Sequence, residues 1–283
     1  MCAGGPSCDD VPVTLALLLA SASLYVAGYR RVVRSGATFG RARLGAFLAG
    51  MLLLAIALVS PLERAADLSF TAHVAQHLLL SLFAPPLIAL GAPVTLALRA
   101  GPPGLARSIT RVLRTRPVTV LTNPIVGWLL FVGTPFVYHL TWLFDGAIRS
   151  TPAHIVEHAV LLGTALIYWW PIVGVDPSPH PVSYPARILS LFLAMPAMTF
   201  LALAIYLAGT PLYASYLDVA GTSVASVLAD QRAGAVTMWL VGNLWMVITM
   251  LFVTAAWKRH DDAAQHRLEA RMARAAPRGS IGA

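Results

Sequence analysis

The chain is short of charge. Only 11% of its 283 residues are Asp, Glu, Lys or Arg, where a soluble domain carries about a quarter. That shortage excludes an ordinary soluble domain. Lysine is almost missing: Lys258 stands alone among 20 basic residues, the rest being Arg. Such a bias, with abundant Ala and Gly, points to a GC-rich bacterial genome. Cysteine is limited to Cys2 and Cys8, which read as unconstrained thiols in a terminal tail, the alternatives being a small disulfide loop or a pair of ligands for a soft metal; a CxxC motif is absent. There is no Gly-rich phosphate loop and no G-x-S-x-G elbow, so soluble-enzyme chemistry has no foothold.

What remains is apolar: 58% of the chain is hydrophobic. The apolar residues gather into long uncharged stretches of bilayer length. Seven spans are predicted, at Val11–Tyr29, Leu44–Ser60, Ser69–Leu90, Pro124–Leu140, Pro152–Pro171, Ala186–Ala208 and Ala233–Trp257. The expected fold is therefore all-α, a polytopic integral membrane bundle of about seven transmembrane helices. Residues 1–10 form an N-terminal tail, 11–257 the seven-helix domain, and 258–283 a basic tail in which the last helix frays into disorder. Asp9 and Asp10 stand where a cleavable signal peptide would be basic, so the first span reads as retained. Pro85-Pro86 interrupts the third span; a kink is expected there, and the chain beyond it either bends along the membrane surface or crosses at a tilt.

The net charge of +8 does not imply nucleic acid, because the basic residues fall between apolar spans and in the tail. Seventeen of the 20 basic residues lie on one face of a seven-span bundle, and only Arg64, Arg149 and Arg232 on the other. The positive-inside rule then puts the N-terminus outside and the C-terminus in the cytoplasm, in a bacterial plasma membrane.

An ionisable group inside a bilayer is costly and so informative. Here most are histidines. His73 and His77 sit roughly 6 and 12 Å into the third span, and His154 and His158 roughly 3 and 9 Å into the fifth, at 1.5 Å per residue. His139 closes the fourth. Five of eight histidines thus fall in one slab near the outer face. Residues at i and i+4 share a helix face, so HVAQH and HIVEH each present an imidazole pair able to share a metal. Glu157 precedes the second His of its pair, where a zinc-protease helix would carry Glu after the first; that reading fails. The bland alternative is interfacial histidines bonded to carbonyls or headgroup water.

Imidazole suits copper, zinc and haem iron, whereas thioether sulfur selects Cu(I). Met238 lies in the same slab. Met195 and Met198, nearer mid-bilayer, read as core filler. Glu157, Asp230 and Gln231 are candidates to hold the imidazoles, with Asp230 and Gln231, just outside the seventh span, equally placed to cap that helix. Trp142, Trp169, Trp170 and Trp239 read as an interfacial aromatic belt.

At these residues the chain resembles a known family. FTAHVAQHLLLSLFAPPLIALGAPV is similar to the signature of the CtaG membrane proteins, which assist cytochrome c oxidase assembly in bacteria. NPIVGWLLFVGTPFVYHL, HIVEH, YWWPIVG, YPARILSLFLAMPAM and LADQRAGAVTMWLVG follow in order, covering roughly residues 68 to 257. The resemblance implies a non-enzymatic assembly factor whose partners are oxidase subunits, a copper donor protein and the bilayer. It matches His73, Gln76, His77, His139, His154, His158 and Asp230 to the family's polar positions. Some relatives resemble this chain but are fused to a copper-resistance-type membrane domain, which this length does not accommodate.

Three functions compete: an assembly factor binding Cu(I) at the outer slab, a b-type haem cytochrome, and a metal or proton transporter. Against transport, the inner half has little polar side chain beyond Asn243. Against haem, the histidines crowd one edge with no second cluster to take electrons onward. The copper reading is favoured, with His180, His260 and His266 outside the site.

Overall fold

A computed structural model describes residues 11–219 and 221–275. Cys2, Cys8 and the expected N-terminal tail lie outside the described residues, as does Arg278. Among the described residues the chain is helical throughout its ordered elements, with no strand.

α1 (Val11–Arg34) and α2 (Arg41–Val59) form a hairpin. Most of α1 shows Leu to its surroundings, Leu15, Leu17, Leu19 and Leu24 among them. In water such a face would aggregate; in a bilayer it meets lipid. α3 (Pro61–Ala66) is a short helix capped by the Ser60 hydroxyl, which accepts from Leu62 N. It leads into the central element, α4 (Phe70–Leu78), a π turn at Leu79–Phe83, and α5 (Ala84–Leu90).

The expected proline break is absorbed by that π turn. Pro85 has no N–H to give Ser81 O, and the Trp169 indole N–H donates to that carbonyl instead at 2.8 Å. An orphaned carbonyl in an apolar interior is costly, so Trp169 is fully buried and does not belong to an interfacial belt. The helix therefore runs through the prolines and turns only at Ala92, which adopts a left-handed conformation (φ 52°). α6 (Pro93–Ala100) follows and packs on α1, and Phe70–Ala100 together has the length and composition of one span. Asp176 locks the start of α6, accepting from Val94 N (3.0 Å) and Thr95 N (2.7 Å).

α7 (Pro103–Leu113) and α8 (Arg116–Leu121) carry arginines and bury no residue. α9 (Pro124–His139) is capped by Asn123, whose carbonyl oxygen accepts from Ile125 N. At 16 residues it falls short of a full crossing; it bends by 71° into α10 (Leu143–Arg149). α11 (Thr151–Val173) and α12 (Tyr184–Leu207) are full-length spans. A 3₁₀ turn at Ala214–Asp218 precedes α13 (Val224–Ala275). Among the described residues, six helices are thus long and apolar enough to cross a membrane, or seven if the bent pair α9–α10 counts as one.

α13 corrects the expected end of the bundle. It starts at Val224, so Asp230 and Gln231 lie inside the helix and do not cap it. It continues without fraying through the polar run after Trp257 to Ala275. That run, HDDAAQHRLEARMARA, is rich in strong helix formers, and Gln265 donates one turn onward to Glu269 at 2.9 Å.

In the bundle α4 packs on α13, and α5 packs on α2 and α11. Two glycines permit the close approaches. A Cβ at Gly234 would collide with the Phe70 ring, and one at Gly50 would come within 2.7 Å of Ile88. Small residues at such crossings are how membrane helices gain contact. Phe131 and Tyr168 stack at 4.2 Å, joining α9 to α11.

Candidate functional site

The i, i+4 pairs on α4 and α11 face one another. Imidazole centroids lie 4.3 Å apart for His73/His77 and 4.1 Å for His154/His158. Across the helices His73 is 5.3 Å from His154, and His77 is 5.9 Å from His158. His139, at the end of α9, comes within 6.1 Å of His77. All five are buried. Phe144 of α10, fully buried, packs at 4.7 Å on both His73 and His139. The bend after α9 is what brings it there.

Glu157 reaches into the centre of the cluster. Its Oε2 lies 3.7 Å from His73 Nε2 and its Oε1 3.7 Å from His77 Nε2, while the two Nε2 atoms stand 2.9 Å apart. Neither carboxylate oxygen has a hydrogen-bond partner, and His154 Nε2 and His158 Nε2 have none either. Buried polar atoms are rarely left unpaired, and four of them meet here. Three overlapping donor sets have all their atoms within 4.8 Å of one another: His73/His77/His158, Glu63/His154/His158 and His73/His154/Glu157. Donor atoms drawn together and left without protein partners fit a metal ion.

A ring of supports orients the donors. The Tyr216 hydroxyl donates to Ala66 O (3.1 Å) and lies 3.4 Å from His73 Nδ1. With that proton committed, His73 Nδ1 is the donor to Tyr216, which leaves its Nε2 lone pair facing inward. The Tyr213 hydroxyl stands 3.1 Å from His139 Nδ1 in the same manner. Gln76, fully buried, donates from Nε2 to Ala57 O (2.9 Å) and to the Glu63 carboxylate. It thereby holds Glu63, whose Oε1 is 3.7 Å from His154 Nδ1.

Asp230 does not reach an imidazole. Its carboxylate accepts from Phe70 N (2.6 Å) and Ser69 Oγ (3.0 Å), capping α4 from α13 and fixing the height of His73 one turn on. Gln231 accepts from Leu212 N and donates to Ile205 O, fastening the loop after α12. Met238 is buried on a cavity wall it shares with His77 and His139. His180, His260 and His266 are at the other end of the bundle or beyond it, near Ser178, Tyr184 and Glu269 respectively.

Sequence reasoning missed Glu63, Asp67, Phe144, Tyr213 and Tyr216. For the acids a signal existed, since few carboxylates lie at the histidine end of the chain. Glu63 and Asp67, with His154 and His158, line an open cleft against the cluster. Burial, then the nearby Asp67 charge, pushes the Glu63 carboxyl up to about 7, against the lowering effect of the Gln76 hydrogen bond. Burial raises Asp67 as well.

A family model describing the cytochrome c oxidase caa3 assembly factor (Caa3_CtaG) matches residues 23–260. An uncharacterized protein of Mycobacterium leprae (strain TN) is 35% identical over 257 residues, covering 87% of this chain and 38% of its own. An uncharacterized protein of Mycobacterium tuberculosis (strain CDC 1551 / Oshkosh) is 32% identical over 245 residues, covering 84% of this chain and 37% of its own. The chain thus spans well under half the length of these curated relatives. No solved structure matches it.

Proposed function

The chain belongs to the Caa3_CtaG family of cytochrome c oxidase assembly factors, and from that premise we propose that it holds Cu(I) for oxidase maturation at the α4–α11 histidine cluster. Its apolar helices make it a multi-pass protein of the bacterial membrane. The observation that carries the copper reading is the convergence of His73, His77, His154, His158 and Glu157, with four of their buried donor atoms unpartnered.

His73, His77 and His158 supply the imidazole donors of an all-histidine set, and His154, with Glu63, receives the cation from the open cleft. His139 and Met238 stand on the far wall. Glu157 balances the charge of the ion, while Gln76 and Asp230 fix the positions of Glu63 and His73. The arginine distribution supports a cluster on the outer face, N-terminus outside and C-terminus in the cytoplasm. Copper is cargo here, handed to an oxidase subunit after arriving from a donor protein, and the chain catalyses no reaction on it.

The test is complementation. A strain lacking the gene receives wild type or single Ala variants at His73, His77, His139, His154 and His158, with His180→Ala as control. Oxidase copper content and activity fall in the cluster variants and are kept in the control. Full maturation by all five would refute the proposal.

A further inference from the structure

On the far side of the cluster from the open cleft lies a second, apolar cavity. Its wall holds His77 and His139 and four methionines, Met195 and Met198 of α12 and Met238 and Met246 of α13. The whole chain has eight methionines, so half of them face one space. Met195 and Met198 flank Pro196, and Met238 and Met246 stand two turns apart on the facing helix.

Methionine as core filler would occupy such a gap, since its flexible chain adapts to irregular voids. Here all four line one cavity, Met238 and Met246 among the buried core residues and Met195 and Met198 packed against them. Gly242 sits between Met238 and Met246 on the same wall. A Cβ there would meet only Leu82 at an ordinary 3.8 Å, so helix packing does not demand the glycine. Its effect is to leave room on the cavity wall between the two methionines. Apolar walls penalise a strongly hydrated ion, whereas thioether sulfur binds Cu(I) selectively among common cations.

We propose that Met195, Met198, Met238 and Met246 form a second Cu(I) site, loaded from the imidazole cluster through His77 and His139. The proposal rests on the copper reading of that cluster and adds a direction to it, from the carboxylate-lined cleft, through the imidazoles, to the thioethers. The transfer is ligand exchange: a copper–sulfur bond forms as a copper–nitrogen bond breaks. Copper stays Cu(I), so no electron donor is needed. Met195 and Met198 thus acquire a role that their sequence context did not give them.

The full chain, grown with selenomethionine and purified in detergent, is titrated with Cu(I) alone and followed by X-ray absorption at the copper edge. Nitrogen scattering at the first equivalent and selenium scattering at the second are expected. Two variants keep the test independent of any one substitution. Replacing all four methionines by Leu removes sulfur at nearly constant volume, and Gly242→Leu plugs the space with every methionine kept. Each loses the second equivalent and retains the first. Absence of selenium scattering at both equivalents overturns the proposal, as does a cavity that takes up detergent or acyl chain while copper binding is unchanged in both variants. Selenium scattering without nitrogen at the first equivalent would instead sink the imidazole reading and leave the thioether site standing.

Discussion

The Nε2 atoms of His73 and His77 stand 2.9 Å apart, and the Glu157 carboxylate lies 3.7 Å from each. At that distance a proton or a cation lies between the two nitrogens. The carboxylate makes a cation the better occupant. Glu157→Gln keeps the shape and removes the charge, and Cu(I) affinity is expected to drop about 10- to 100-fold, the range for groups that support metal ligands. Competition with a Cu(I) chelator measures it; an unchanged affinity would place Glu157 outside the site.

Glu63 makes stability depend on pH. Its carboxyl is raised by burial from 4.5 to about 7. The folded chain therefore binds more protons than the unfolded chain between those values, and stability falls as pH rises through that window. The contribution is fully present below the unfolded value and gone above about 7. The metal-free protein should lose thermal stability from pH 4.5 to 7 by an amount that Glu63→Gln removes. Parallel pH profiles for wild type and variant would show that Glu63 is not buried as described.

The π turn in the central helix depends on a neighbour. Trp169→Phe deletes the indole N–H that satisfies Ser81 O, leaving a buried carbonyl unpaired beneath Pro85. The expected cost is about 1–3 kcal/mol, read from denaturant or thermal unfolding in detergent. A variant as stable as wild type would mean that the carbonyl finds another donor.

Orientation has its own test. In intact cells a membrane-impermeant thiol reagent should label native Cys2 or Cys8. In a cysteine-free background, a cysteine placed at the exposed Leu268 on α13 should react only after lysis. The reverse pattern inverts the topology.

Much of this was legible in the sequence, and the gaps have physical causes. Helical periodicity placed His73 with His77 and His154 with His158, and counting residues from the span ends put all five histidines at one depth. Periodicity runs along one helix, however, and says nothing of what another element brings alongside. Glu63 joins the site through a short helix after α2, Phe144 through the bend after α9, and Tyr213 and Tyr216 through a loop. Asp230 was visible as a cap, but the helix it caps is α4, 160 residues earlier in the chain than its own surroundings suggested. The end of α13 was misjudged for another reason: polarity marks where a helix leaves the membrane, and helix propensity decides where it stops.

The most direct measurement is a Cu(I) titration of the purified full chain against a competing chelator, wild type beside the triple variant His73→Ala, His77→Ala and His158→Ala. The account predicts a tightly held Cu(I) equivalent in the wild type that the triple variant lacks, with both proteins keeping the same helical content. Superimposable isotherms would contradict it.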